Sequence, residues 1–519
     1  MQRGDARGMQ SARAGVLAGL FLVLVAPQGA AAQKKKKGAA EPAPTASQPL
    51  PGKPLSLADV LQQAIRFSPT LASARIDVEV AEANVLAASG IEDWVIGLNG
   101  SVVRTRNEPA EGATFTTTRS DVTEVSASLS KLLFTGGRIS LTGDTRRTDS
   151  TLFFSGMDAA SVEVQSSVTA RLDQPLMRGA WETVTRADQN RARIARDAAK
   201  LQRGAIARTT IRDLVAAYWE VAYAAADLEI RRSSVDLANE RRRLTEASVK
   251  GGATAPTELN AVDQVIAQRE EEVVGAELAV LQRSLELRQL AGLEIGPGDV
   301  EIAATSVLEV EPKPVDLDQV VAASFQESPE IAVLRTRERS AKLEVAVTDN
   351  GLLPRLDLSL FGGPLGRDNK FSGSVERMSK FKDYQVGAEL AFEFPLGNNA
   401  AQGASHRAHA EANRVMVDMR DVQLQIASAA VQAVALARSA EKRLELSRRA
   451  IELSEKNIKA EVGRFELGKS TNFDVLLRQD ELKQARLRYA RAVADYLRAR
   501  AALGALTGEL LREYGVTVK

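Results

Sequence analysis

His406 and His409 stand three residues apart in the stretch SHRAHAE. On a helix such a pair could hold a metal ion, but protein metal sites take three or four ligands. No third ligand is in view, so the pair reads as a solvated helix face. The chain has no cysteine, which removes a thiol nucleophile, a thiolate metal site and a disulfide scaffold. It has no nucleophile elbow, no phosphate loop and no acid pair at catalytic spacing. The runs ERRR (240–243) and REEE (269–272) read as charged, solvated helix faces. Two acids stand out by position. Glu258 follows the break KGGATAPTEL (250–259), and Asp474 lies in ELGKSTNFDVL (466–476). Each falls in the first turn of a helix, where the helix dipole favours a carboxylate. The expectation is a protein without catalytic residues, metal or cofactor, and not an enzyme.

The two breaks sit in equivalent places of a repeated design. SLADVLQQAIRFSPTLASAR (56–75) matches DLDQVVAASFQESPEIAVLR (316–335): Leu57 with Leu317, Ser68-Pro69 with Ser328-Pro329, Arg75 with Arg335. In both, an amphipathic helix is interrupted at Ser-Pro and resumes, since Pro fits a first turn but clashes inside a helix. After the breaks, every seventh residue is apolar or aromatic. The series are Leu259, Ile266, Val273, Val280, Leu287 and then Val475, Leu482, Tyr489, Tyr496, Leu503. A sustained seven-residue period predicts supercoiled packing against a neighbour. The companion seam is smaller and weaker, with Ala276, Ala485 and Ala492 beside Arg269 and Arg478. Each copy closes on a glycine stop, QLAG (289–292) and ALTG (505–508). The chain is thus expected to be a tandem duplication. Residues 56–295 form a first helix-strand-helix repeat, 296–315 a connector, 316–508 a second repeat, and 509–519 a C-terminal tail.

Aromatics make up only 4% of the chain, which suits close Ala-rich helix packing better than compact cores. The segments 184–249 and 404–466 keep helical patterning for over sixty residues, roughly 90–100 Å each. The shorter helices 57–88 and 257–292 together reach a similar length, as do 317–348 and 473–506. One long helix beside two short ones predicts a wall of even height.

Between the helices the period changes to two. VEVQSSVTARL (162–172), YQVGAELAFEF (384–394), LDLSLF (356–361) and GRISLTGDTR (137–146) alternate apolar and polar residues. Strands of about ten residues fit either a one-sided soluble sheet or a tilted crossing of a bilayer. Trp94, Tyr384 and Phe394 lie near strand ends, as an interface belt requires. Four strands are expected in the first repeat and two in the second. Pro175 and Pro395 mark the passage from sheet to helix.

The N-terminus carries Arg3, Arg7 and Arg13, an apolar run from Ala14 to Ala26, and the small residues Ala30-Ala31-Ala32. This is the pattern of a secretory signal peptide, 1–32. Its removal takes away three arginines and Asp5, moving the formal charge from +1 to −1. Residues 33–55, rich in Lys, Ala and Pro, read as a flexible linker. No cysteine follows the apolar run, so no lipoprotein anchor is expected. A near-neutral chain offers no field for nucleic acid.

With both repeats, the Ser-Pro helices, LLPRLDLSL (352–360), the QPL and FPL joints and the two glycine breaks in view, the chain resembles the TolC-like outer-membrane efflux proteins. TGGRISL (135–141) resembles a branch with extra strands. The resemblance covers 56–508. It implies an α+β membrane protein, in which a long coiled-coil α-helical barrel in the periplasm continues a transmembrane β-barrel in outer-membrane lipid. It also implies a homotrimer that works with a periplasmic adaptor (membrane fusion protein) and an inner-membrane pump as the exit duct of a tripartite efflux or type I secretion system. The glycine breaks then become hairpin tips. Gly251, Gly252, Gly468, Lys469 and Ser470 are expected at the adaptor contact, and Glu258 and Asp474 at the periplasmic aperture, six carboxylates in a trimer. The alternative reading is a soluble periplasmic coiled-coil adaptor or scaffold.

Overall fold

The computed structural model describes residues 55–108, 115–154, 157–252, 255–295, 302 and 310–515. The predicted signal peptide, all but the last residue of the linker and much of the connector lie outside them.

The first repeat runs α1 (Leu57–Phe67), α2 (Pro69–Ser89), β1 (Val95–Arg106), β2 (Phe115–Leu132), β3 (Arg138–Phe154), β4 (Met157–Pro175), α3 (Glu182–Thr185), α4 (Ala187–Lys250) and α5 (Thr257–Ala291). The second runs α6 (Leu317–Glu327), α7 (Pro329–Gly351), β5 (Arg355–Asp368), α8 (Phe371–Ser379), β6 (Asp383–Glu393), α9 (Asn399–Glu466) and α10 (Asn472–Thr507). Both halves run from two short helices through strands to one long and one shorter helix, with four strands in the first and α8 between the two strands of the second. Residues expected as a tail form a further short helix, α11 (Glu509–Glu513), and bury Leu510.

Local chemistry sets the helix limits. Ser56 and Asp59 form a capping box on α1, which satisfies two amides that a helix start leaves open. Ser68 adopts extended geometry and Pro69 takes the first turn of α2. In the second copy Ser328 Oγ accepts from Ile331 N at 3.2 Å, ahead of Pro329. Both Ser-Pro interruptions are therefore helix boundaries. α4 and α9 have 64 and 68 residues, about 96 and 102 Å at 1.5 Å per residue.

The seams read from the heptads are largely buried: Ile266, Val280, Leu287, Val475, Leu482, Tyr496 and Leu503 lie inside. α4 packs between α5 and α10, and α10 in turn packs on α9. The largest core joins the middle of α4 to α1, with Val60, Leu61, Ile211, Leu214, Tyr218 and Leu287 all buried. Each such side chain contributes about 1.5–3 kcal/mol by leaving water. Tyr218 donates to the Leu55 carbonyl at 3.1 Å, so the last linker residue is held in this core.

All six strands form one antiparallel sheet in sequence order, four from the first repeat and two from the second. The register gives it two unlike faces. On one face a row passes from Ile96 through Leu129, Leu141, Ala170 and Gly362 to Val386. Leu358 with Leu390 and Leu356 with Phe392 extend it. On the other face a row passes from Asn99 through Ser126, Asp144, Ser167 and Leu365 to Asp383. α8, which the sequence did not announce, lies on the apolar face at β4 and β5. Ser374 Oγ is 2.9 Å from Ser166 Oγ, and a Cβ on Gly366 would fall 2.0 Å from the Ser374 carbonyl.

Candidate functional site

The two hairpin ends lie side by side, away from the sheet. In the first, α4 stops at Gly251, and Gly252 turns the chain at φ +74°. α5 then starts at Thr257, with Glu258 in its first turn. Glu258 is half-buried and makes no side-chain hydrogen bond or ion pair among the described residues.

In the second, α9 ends in a Schellman turn. Gly468 takes φ +69°, its N–H donates to the Phe465 carbonyl at 2.9 Å, and Lys469 N–H donates to Arg464 at 2.9 Å. These bonds satisfy the carbonyls a helix end leaves open. Thr471 and Asp474 then form a capping box for α10. Asp474 Oδ2 accepts from Thr471 Oγ1 at 2.6 Å and from Thr471 N at 3.2 Å. Those two bonds, chiefly the hydroxyl, hold the Asp474 carboxyl below its ordinary pKa. Ser470 donates to Glu461, which is buried, and lies 3.4 Å from Asp474. Asp474 is therefore both a helix cap and an anion at the turn.

Two residues that sequence reasoning did not single out, Asn472 and Thr245, join the hairpins together with Arg241, which the ERRR run placed on a solvated face but which is buried. Asn472 Nδ2 donates to Thr245 Oγ1 at 3.1 Å, linking α10 to α4 in a buried position. The Arg241 guanidinium lies 4.7 Å from the Phe465 ring centre, and burial pushes its pKa down. Below them Leu476 packs on Ala238, Val262 and Ile266. An ionic chain follows along the seam: Asp227 with Arg231 at 2.9 Å, Arg231 with Glu272 at 3.1 Å, Glu272 with Lys483 at 3.0 Å, Lys483 with Asp480 at 2.7 Å. Lys483 is only 5% exposed, so three helices are tied through a buried cation and partly exposed partners. Removing one member would strand the others. Nothing in the spacing of Thr245 or Arg241 announces a partner more than two hundred residues away.

The structure brings Gly251, Gly252, Gly468, Lys469 and Ser470 to the ends of the helical hairpins, with Glu258 and Asp474 one turn inside. Among the described residues, no nucleophile with an adjacent general base is assembled there. His409 Nε2 sits 3.3 Å from Asp349 instead of sharing a ligand set with His406. No group of three or more His, Cys, Asp or Glu suited to a metal occurs among the described residues. No described helix is long and apolar enough to cross a membrane.

Residues 320–509 match the family described as outer membrane efflux protein. No curated protein matches the chain in sequence. Several solved structures share its fold. VceC of Vibrio cholerae, an outer membrane protein, aligns at TM-score 0.62 and 17% identity, over 88% of this chain and 96% of its own. The outer-membrane channel OprN aligns at 0.64 and 16%, over 87% and 90%. The CmeC outer membrane channel of Campylobacter jejuni aligns at 0.63 and 13%, over 88% and 86%. The chain thus shares the fold of these outer-membrane channels along most of its length, and residues 320–509 match the efflux-protein family.

Proposed function

We propose that the protein is the outer-membrane exit duct of a tripartite efflux or type I secretion system, passing substrate from an inner-membrane pump and periplasmic adaptor to the exterior. One observation carries this reading: a six-stranded sheet whose apolar face is open to solvent in the single chain. Ile96, Leu98, Val386 and Leu390 are each more than 60% exposed. A soluble adaptor or scaffold would bury or polarise such a face. Lipid accepts it, provided that every strand edge is paired. β1 and β6 are the open edges.

Closure therefore requires other copies, with β1 of one against β6 of the next. In a homotrimer, three times six strands gives an 18-stranded barrel, wide enough for an aqueous channel. The belt from Tyr384 to Phe392 covers roughly 27 Å along the strand, close to the height of a barrel's apolar band. Trp94, Phe134, Trp181 and Phe394, exposed near the strand ends on the helical side, fit the level of the periplasmic headgroups. The Ser- and Thr-rich face then lines the lumen.

The helices would continue the lumen through the periplasm. Their hairpin ends, Gly251 and Gly252 with Gly468, Lys469 and Ser470, offer the adaptor contact. Glu258 and Asp474, six carboxylates in a trimer, give an aperture that favours cations. The recurring arrangement of helices around strands supports a tandem duplication, behind a signal peptide at 1–32 and a linker at 33–55. The duct would work without a cofactor, energy coming from its partners.

Electron microscopy of protein extracted with detergent from the outer-membrane fraction tests this reading. A threefold tube well over about 100 Å long is expected. A protein that stays soluble without detergent would overturn it in favour of the adaptor or scaffold.

A further inference from the structure

The apolar belt ends, on the side away from the helices, in a set of charges on the same face. Arg104, Asp121 and Asp149 occupy one row across β1, β2 and β3. Arg104 pairs with Asp121 at 3.0 Å, Arg119 pairs with the same carboxylate, and Arg147 pairs with Asp149 at 2.9 Å. The next row holds Arg147, Val164 and Asp368. α8 begins just past Asp368 and is pinned to it by Arg377 at 3.4 Å. The helix brings Lys370, Arg377 and Lys380 to this level, with Lys382 just after it.

Three features distinguish this set from ordinary surface charge. It faces the same side as the belt, so it is continuous with the surface proposed for lipid. It is rich in arginine, whose planar fork of donors suits phosphate oxygens, and Asp121 and Asp149 leave donors of the paired arginine forks open. And α8 carries the marks of a helix lying in a headgroup plane, with basic residues beside Phe371 and Phe381, which are 56% and 66% exposed. Counting the two strand carboxylates, Asp368 and Glu376 against the seven basic residues, the set has a positive excess of three per chain.

We infer that Arg104, Arg119, Arg147, Arg377 and Lys380 form an outward-facing basic collar that binds the phosphate groups of outer-leaflet lipid. It rests on the duct reading, because only a barrel in the bilayer sets this row at the headgroup level. α8 rests on the strands through Gly366, Ser166 and Ser374 and holds two of the cations in place. The paired carboxylates orient the strand arginines before the lipid arrives, which lowers the cost of ordering them.

The test is native mass spectrometry of the intact detergent-solubilised protein, titrated with a bis-phosphorylated lipid A and with the same glycolipid stripped of phosphate. The phosphorylated form is expected to bind far more tightly. Arg147→Gln/Arg377→Gln/Lys380→Gln together should weaken it about a hundredfold, at roughly fivefold per cation. The corresponding Lys variant at the two arginines should keep most of the binding. Arg171→Gln, an arginine lost from the opposite face of the sheet, should bind as the unaltered protein does. Equal binding of the two glycolipids, or an equal loss in Arg171→Gln, overturns the collar while leaving the duct intact. Failure of the unaltered protein to enter lipid vesicles at all overturns the duct and the collar together.

Discussion

The Asn472 amide donates to the Thr245 hydroxyl across 3.1 Å, and both side chains are about 5% exposed. This contact crosses from the second hairpin to the first. Thr245 Oγ1 in turn donates to the Arg241 carbonyl at 2.9 Å, so the chain of bonds enters α4 itself. In the proposed duct, parting of the two hairpins would break this link.

Thr245→Val and Asn472→Ala should each lower stability by about 1 kcal/mol, with a coupling of similar size in the double variant. In lipid bilayers both should raise single-channel conductance or its open fraction. Strictly additive effects would mean that the hydrogen bond is not formed in the working channel.

Asp474 gives the second turn a pH dependence. Its carboxyl sits below the ordinary range because the Thr471 hydroxyl, and then the Thr471 amide, donate to the charged form. A group whose folded pKa is depressed adds stability above its unfolded value, about 3.9, and loses it as pH falls through the lower folded value. Amides of 471–476 should therefore lose protection below about pH 4, and Asp474→Asn should remove that dependence. Protection factors unchanged between pH 7 and pH 3 in the unaltered protein would contradict it.

The glycine turns are predicted to differ in tolerance. At Gly468, φ is +69° and an added Cβ would meet nothing within 4 Å. Gly468→Ala should cost about 1 kcal/mol, from left-handed backbone alone. Gly292 takes φ +71°, but its Cβ would fall 2.1 Å from the Phe67 carbonyl, beside the α1–α2 break. Gly292→Ala has to move backbone in the central core and should cost more than about 3 kcal/mol. Equal melting temperatures for the two variants would refute the packing drawn here.

Much of this architecture is written in local periodicity. The heptads from Leu259 and Val475 announce the seams, and the two Ser-Pro dipeptides announce helix ends, because both signals act within a few residues. The sheet-to-helix joints at Pro175 and Pro395 are equally local. α8 is not announced: FSGSVERMS is short, rich in small polar residues, and acquires its face from Gly366 on the strand before it and from Ser166 about two hundred residues away. The glycine breaks and their first-turn acids are visible for the same reason the seams are. Thr245, Arg241 and Asn472 are not, since their roles come from the meeting of two hairpins. Charge misleads as well: Arg269 occupies a seam position and is buried, donating to the Ser234 carbonyl at 2.8 Å. REEE looks like a solvated face, but its first and last residues reach into the packing.

The two faces of the sheet allow a test that needs no partner protein. Leu390 and Ala391 are neighbours on β6 and point to opposite sides, Leu390 paired with Leu358 and Ala391 with Asp357. If the Leu390 face meets hydrocarbon, an arginine there must lose water without a partner. That costs about 2–4 kcal/mol near the midplane of a bilayer. If the Ala391 face lines an aqueous lumen, an arginine there stays hydrated and lies opposite Asp357. Leu390→Arg should sharply reduce the assembled protein in the outer membrane, while Ala391→Arg assembles normally and alters ion selectivity. A soluble sheet with its apolar side against a partner protein would show the same loss for Leu390→Arg, but Ala391→Arg would change no conductance. The reverse ranking, with Ala391→Arg the damaging change, would mean that the faces are assigned the wrong way round.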